Sequence, residues 1–181
     1  MPTIRVTDGR EKARVDAFYA SEGRRTRIVL AEKLVVAEEN GVIVGVVRLC
    51  EEEGHGVLRT MRVREAWRGQ GLGTGMLKAF APLVAGRDCY GLPFDHLTQF
   101  YAQIGFRSIP KASAPRHLWE RLEENLSKGE KMLVMLRPAC LSRHENTQQG
   151  AAPCKAVPAC SVCLPAREAT QSRAMEETDA Y

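Results

Sequence analysis

The sequence predicts a mixed α/β fold, with one central sheet flanked by helices. Three observations carry this. Two Val-rich runs, residues 33–38 and 42–49, are joined by Asn40-Gly41, which supplies the positive φ values of a tight hairpin turn. An extended run at 57–63 leads into a Gly-rich turn, after which Leu72, Met76, Leu77, Phe80, Leu83 and Val84 recur with helical period. A short apolar run at 89–92, stopped by Pro93, then returns to strand and completes a strand–helix–strand crossover.

In chain order, Ile4-Arg5-Val6 reads as a short strand. Asp8 followed by Glu11 reads as a variant capping box opening a helix that ends near Gly23. Arg24-Arg25-Thr26-Arg27 is a basic loop, with a short second helix as the alternative. After the hairpin, residues 51–56 form a second turn, and strand 57–63 follows. The helix after the Gly-rich turn runs from 72 to 85. Asp95 is placed as the cap of a helix whose inner face is Leu97, Phe100, Tyr101 and Ile104, and Gly105 ends it. Residues 106–109 resume strand. Pro115 starts a helix with Leu118, Trp119, Leu122 and Leu126 on one side, and 130–137 is the last strand, apolar on both faces.

The composition, 44% hydrophobic and 27% charged, is that of a soluble globular chain. No apolar run approaches the ~20 residues that span a bilayer, and the N-terminus lacks the apolar core of a secretory signal, so a cytoplasmic protein without membrane contact is expected. The net charge of +4 is spread along the chain, and no basic block marks a nucleic-acid surface. After residue 137 the apolar pattern collapses. Residues 138–181 read as a low-complexity, disordered tail, leaving 1–137 as the folded domain. Cys160-x-x-Cys163, with Cys140, His144 and Cys154 nearby, matches no zinc module, because the second Cys pair is missing. No metal site is expected.

The stretch from Val63 to Gly75 bears the chemistry. A Gly-rich turn at a helix start leaves main-chain N–H groups unpaired where the helix dipole favours negative charge, so the expected ligand is a phosphate or diphosphate. The turn is no Walker A loop, since no Gly-Lys-Ser/Thr follows. It is a poor dinucleotide fingerprint, since Thr74 stands at the third glycine position. It fits Arg-x-x-Gly-x-Gly, as Arg68, Gly71 and Gly73. This resembles the acetyl-CoA signature of the GCN5-related N-acetyltransferase (GNAT) family. Downstream, the run from Phe100 to Phe106 is similar to that family's Phe-Tyr-x-x-x-Gly-Phe, and the resemblance extends in element order over roughly residues 2–137. One departure is Glu65, where the family often has Pro.

The resemblance implies a mixed, mostly antiparallel sheet that splays between strand 57–63 and strand 89–92. It implies acetyl-CoA as cosubstrate, held by the backbone of Arg68, Gly69, Gln70, Gly71, Leu72, Gly73 and Thr74, with the Thr74 hydroxyl as a further donor. The edge of Met61, Arg62 and Val63 pairs with the pantetheine amides, as a peptide adds to a sheet. A strand N–H steadies the oxyanion. Helical spacing alone gives Tyr101 a packing role beside Phe100 and Ile104; the resemblance makes it the acid that meets the departing thiolate. The implied activity is direct acetyl transfer to a primary amine of a small molecule or peptide. A non-catalytic acyl-CoA sensor or scaffold is the alternative. The general base is not determined: Glu51, Glu52, Glu53 and His55 sit at one turn but read as a solvated hairpin, Asp95 reads as a helix cap and His96 as an exposed residue, and a water relay needs no dedicated side chain. Arg24, Arg25 and Arg27 lie in the region that resembles the family's substrate-gripping loop and select a carboxylate-bearing amine, or else form a solvated loop. Cys50 and Cys89, in strands without an adjacent His, read as buried hydrophobes. The oligomeric state is left open, with a homodimer among the alternatives.

Overall fold

The structure, a computed structural model, describes residues 1–139. The expected tail and its Cys140, His144, Cys154, Cys160 and Cys163 lie outside the described residues. The strands are β1 (Thr3–Asp8), β2 (Lys33–Glu39), β3 (Val42–Glu52), β4 (His55–Val63), β5 (Cys89–Gly91), β6 (Arg107–Ser108) and β7 (Met135–Arg137). The α-helices are α1 (Lys12–Ser21), α2 (Leu72–Phe80), α3 (Thr98–Ala102) and α4 (Arg116–Ser127). The strands form one sheet in the order β1-β2-β3-β4-β5-β7-β6. Every neighbouring pair is antiparallel except β4 and β5, which are parallel because α2 lies between them in sequence.

Alternation along the strands decides which helix covers which face. Leu34 and Val36 of β2 join Val15, Phe18 and Tyr19 of α1 in one cluster. Val35 and Ala37 point the other way, onto Met76, Leu77 and Phe80 of α2, all three fully buried. Leu49 and Leu58 share the α2 cluster, so Arg48, Cys50, Val57 and Arg59 face the α1 side. Val57 packs there with Leu118 and Leu122 of α4. Helices α1 and α4 therefore lie on one face of the sheet and α2 on the other.

Local chemistry shifts several boundaries from the sequence reading. The hairpin turn at Asn40-Gly41 has φ values of 50° and 77°, as expected. The second hairpin turns at Glu53-Gly54, with φ values of 48° and 80°, and the Glu52–His55 pair closes it; Glu51, Glu52 and His55 are strand residues, not turn residues. Asp8 caps a 3₁₀ turn, Gly9–Glu11, by accepting the Arg10 N–H at 3.0 Å, but Glu11 does not reach back, because Arg5 and Thr7 claim its carboxylate. Gly9 is required by close approach: a Cβ there would lie 2.2 Å from the Val29 carbonyl oxygen.

Residues 24–27 form no second helix. The loop is pinned instead by a buried pair in which Arg48 Nε and Nη2 each donate to the Glu32 carboxylate at 2.7 Å, while Arg48 Nη2 also donates to the Arg27 carbonyl at 3.1 Å. The α2 turn ends at Phe80 and tightens to 3₁₀ over Ala81–Val84, where Pro82 has no N–H to continue the ladder. Asp95 does not cap α3: it lies inside a 3₁₀ turn, Asp95–Leu97, and accepts the His96 N–H at 2.6 Å. The run 130–137 is strand only at Met135–Arg137, preceded by a single bridge from Met132 to Phe94.

Candidate active site: an opening in the sheet

Strands β4 and β5 pair at three places only, Gly56–Cys89, Val57–Tyr90 and Leu58–Gly91. Beyond that they part, for a reason on each side. In β4 the register slips, so that Thr60 and Met61 together oppose one residue of β3, a bulge that bends the strand. Thr60 has φ of 47°, a costly setting for a β-branched residue. The buried Tyr19 hydroxyl helps hold it by donating to the Thr60 carbonyl at 2.5 Å. After β5, Pro93 offers no N–H. The chain turns toward the segment preceding β7 instead: Leu133 N–H donates to the Pro93 carbonyl and Asp95 N–H to the Lys131 carbonyl.

The opening is a cleft of about 560 Å³. Its walls are Val57 to Arg62 on one side and Gly91 to Phe94 on the other, with Leu97, Tyr101 and Phe106 behind. Arg24 and the α4 stripe Arg121, Asn125 and Lys128 close it on the opposite side, with Glu130. The expected residues Met61, Arg62 and Tyr101 thus come together at one cavity. Arg62 Nε donates to the Glu22 carboxylate at 3.0 Å, so its charge is already matched. Val63 and the Gly-rich turn are outside the cleft lining, at the far end of β4.

At that end the helix mouth is built as a donor cradle. Gly69 and Gly71 have φ of 73° and 78°, and Gly71 is the N-cap of α2. The first bond inside the helix is from Gly75 N–H to the Gly71 carbonyl at 3.0 Å, so the amides of Leu72, Gly73 and Thr74 precede the ladder. A Cβ at Gly73 would lie 3.2 Å from Phe100 Cζ, which ties this turn to α3. Arg68 corrects one expectation: its N–H is used on the Glu65 carbonyl at 3.1 Å, and its Nε donates to the Val63 carbonyl at 3.0 Å. Its part is to fasten the turn to β4, and the donor run starts after it. Gln70 Nε2 likewise donates inward, to the Ala66 carbonyl at 2.8 Å.

Tyr101 is 8% exposed and meets Phe100 and Phe106 edge-on, with ring centroids 5.2 and 6.2 Å away. Burial pushes its phenol up to about 12. Cys50 and Cys89 are buried free thiols, each pushed up to about 12, chiefly by burial, which leaves them protonated and inert. The candidate bases named from sequence stay out of the cleft lining. Glu51 pairs with Arg87, Glu53 with His117, and Glu52 with both Arg59 and Arg121. His55 packs against Tyr90 and His117, and Asp95 and His96 are exposed. Sequence reasoning missed Arg59, Arg121, Lys128 and Glu130. The spacing of Arg121, Asn125 and Lys128, four and then three, marks one helical stripe, but only the tertiary fold shows that it faces an opening. Among the described residues no cluster of three or more His, Cys, Asp or Glu side chains is arranged to hold a metal.

Residues 31–108, from just before β2 through β6, match the model of an acetyltransferase (GNAT) domain. No curated protein matches the chain. Among solved structures, N-acetylglutamate synthase from Neisseria gonorrhoeae, complexed with coenzyme A and N-acetyl-glutamate, aligns with a TM-score of 0.56 at 16% identity over 76% of this chain; the alignment takes in only 35% of that protein. Escherichia coli ElaA aligns at 0.54 and 14% identity over 76% of this chain and 99% of its own. The ribosomal-protein-S18-alanine N-acetyltransferase of Escherichia coli aligns at 0.51 and 12% identity over 77% and 94%. The domain match spans both strands that border the opening and the helix mouth between them, so it is this part of the chain, residues 31–108, that is similar to an acetyltransferase (GNAT) domain.

Proposed function

We propose that the protein is an acetyl-CoA-dependent N-acetyltransferase that passes an acetyl group to a primary amine of a small molecule or peptide by direct attack. The observation that supports this best is the opening between β4 and β5, which leaves one edge of β4 unpaired beyond Leu58 among the described residues and sets Tyr101 in its wall. Coenzyme A, when bound, supplies the acetyl group as a thioester. The cradle fits its diphosphate: Gly69 and Gly71 hold the backbone in a shape that side chains resist, and the amides of Leu72, Gly73 and Thr74 precede the helical ladder. The free edge at Met61 to Val63 offers main-chain partners to the pantetheine amides. A β4 N–H at the bulge is the donor for the carbonyl oxygen as it gains charge.

Tyr101 serves as a hydrogen-bond donor to the departing sulfur. Burial raises its phenol to about 12, and it stays protonated at neutral pH. Handing the proton fully to a thiolate whose thiol titrates near ~8.5 would cost roughly 5 kcal/mol. A donated hydrogen bond strengthens as sulfur charges and needs no such cost. No helix among the described residues is long and apolar enough to cross a membrane. We place the reaction in the cytoplasm and in the domain formed by residues 1–137.

Calorimetry with CoA and an amine panel read by mass test this. Binding of CoA, together with a product heavier than the amine by an acetyl group in place of a hydrogen, is expected. Binding with no product on any amine makes the protein a sensor, and no binding removes the reading.

A further inference from the structure

We infer that the acceptor is a small primary amine carrying a carboxylate, seated by the guanidinium groups of Arg24, Arg59 and Arg121; this rests on the acetyltransferase reading. The cleft is lined by five cationic side chains, Arg24, Arg59, Arg62, Arg121 and Lys128, against one acid, Glu130. Two of the five are spoken for one to one: Arg62 by Glu22 at 3.0 Å and Lys128 by Glu124 at 2.6 Å. Arg59 and Arg121 share a single carboxylate. Arg59 Nη1 donates to one oxygen of Glu52 at 2.8 Å and Arg121 Nη2 to the other at 2.8 Å. One positive charge of that trio is left over. Arg24 has no ion pair among the described residues.

This surplus is on the wrong side of the sheet to serve the diphosphate. Arg59 pairs with Arg48 in register and shares the face covered by α1 and α4, whereas the amide cradle opens α2, on the other face. Arg24 is also held in place. Its N–H donates to the Tyr19 carbonyl at 2.9 Å, and the loop beyond it is fastened by Arg48 to the Arg27 carbonyl. Glu52 fixes two guanidinium forks in advance, so an incoming anion meets oriented donors rather than free arms. Planar forks suit a carboxylate. The cleft of about 560 Å³ has to take the pantetheine end and the acceptor together, which keeps the acceptor small.

The test uses matched amines: glutamate against its diamide and β-alanine against β-alaninamide, with O-phosphoethanolamine as the phosphate arm. Each is read by thiol release and by titration into the CoA-saturated protein. The amides have the less basic amine, so reactivity alone favours them. The carboxylates are expected to win by about tenfold or more in kcat/KM and in affinity, as expected for charge-assisted hydrogen bonds. Arg121→Gln, and separately Arg24→Gln at an exposed site, should shrink that ratio through KM. Equal or better amides, a preferred phosphate, or a ratio that survives both substitutions overturns the assignment. If CoA binds and no amine is acetylated, the transferase reading fails while the titrations still decide the anion site. If CoA does not bind, the same titrations on the free protein decide it.

Discussion

At the residue scale, Tyr101 combines two features that spacing keeps apart. On the helix it is a packing residue, and it does pack, edge-on to Phe100 and Phe106. It also lines the cleft, and burial keeps its proton in place. Tyr101→Phe retains the ring and removes only the hydroxyl. We expect it to lower kcat by about 100-fold, within the range for losing one hydrogen-bond donor at a developing charge, with CoA affinity unchanged. Single-turnover rates beside calorimetric affinities check this, and an undiminished rate removes the role. Nothing in the spacing of Phe100, Tyr101 and Ile104 tells which of them lines a cavity; that depends on where β4 and β5 part. Arg68 teaches the opposite lesson. Its place in a family motif suggests main-chain contact with the ligand, yet its N–H is used on the Glu65 carbonyl and its Nε on the Val63 carbonyl, which fastens the turn to β4.

At the element scale, the loop between α1 and β2 has almost no apolar anchor except the buried Ile28. It is held by charge. Arg48 and Glu32 are 6% and 4% exposed and bind each other twice at 2.7 Å. Removing one partner strands the other in the interior. We expect Glu32→Ala to cost about 3–5 kcal/mol, and the double change Glu32→Leu with Arg48→Met to cost much less. Denaturant unfolding of the two variants separates these outcomes, and equal losses would show that packing, not the ion pair, holds the loop. Elements with a strong local signal were legible from the residues: the Asn40-Gly41 hairpin, strand β4 and the start of helix α2 stand where their patterns put them, while α2 gives way to a 3₁₀ turn after Phe80. The misplaced ones, the second hairpin turn and the start of α3, are decided by pairings that local pattern does not encode, such as Glu52 with His55 and Phe94 with Met132.

Across the whole molecule, acid should loosen the outer edge of the sheet first. Arg5 of β1 binds Glu11 and Glu38 together, linking β1 to β2 and to the start of α1. The Arg5 guanidinium lowers Glu11 from about 4.5 to about 2. A carboxylate depressed in the folded state favours folding above its unfolded pKa, and the benefit is lost as pH falls toward the folded value. The stabilisation from Glu11 is therefore complete at neutral pH and drains away between about pH 4.5 and 2. Glu11→Gln should lower the melting temperature at neutral pH by about 2–4 °C and flatten this part of the stability–pH curve. A curve as steep as that of the parent protein would locate the acid sensitivity elsewhere.

The three β4–β5 pairs lie at one end of the opening, so the sheet behaves as two panels joined by a short seam. Among the described residues, panel β1–β4 and panel β5–β7 have strand pairings across the seam only there. An extended molecule laid along the open length would bridge the panels as a splint does, and the protein would stiffen most where it is least self-supporting. Occupancy and mechanical coherence are in that sense one property, set by a threonine that accepts an awkward backbone angle.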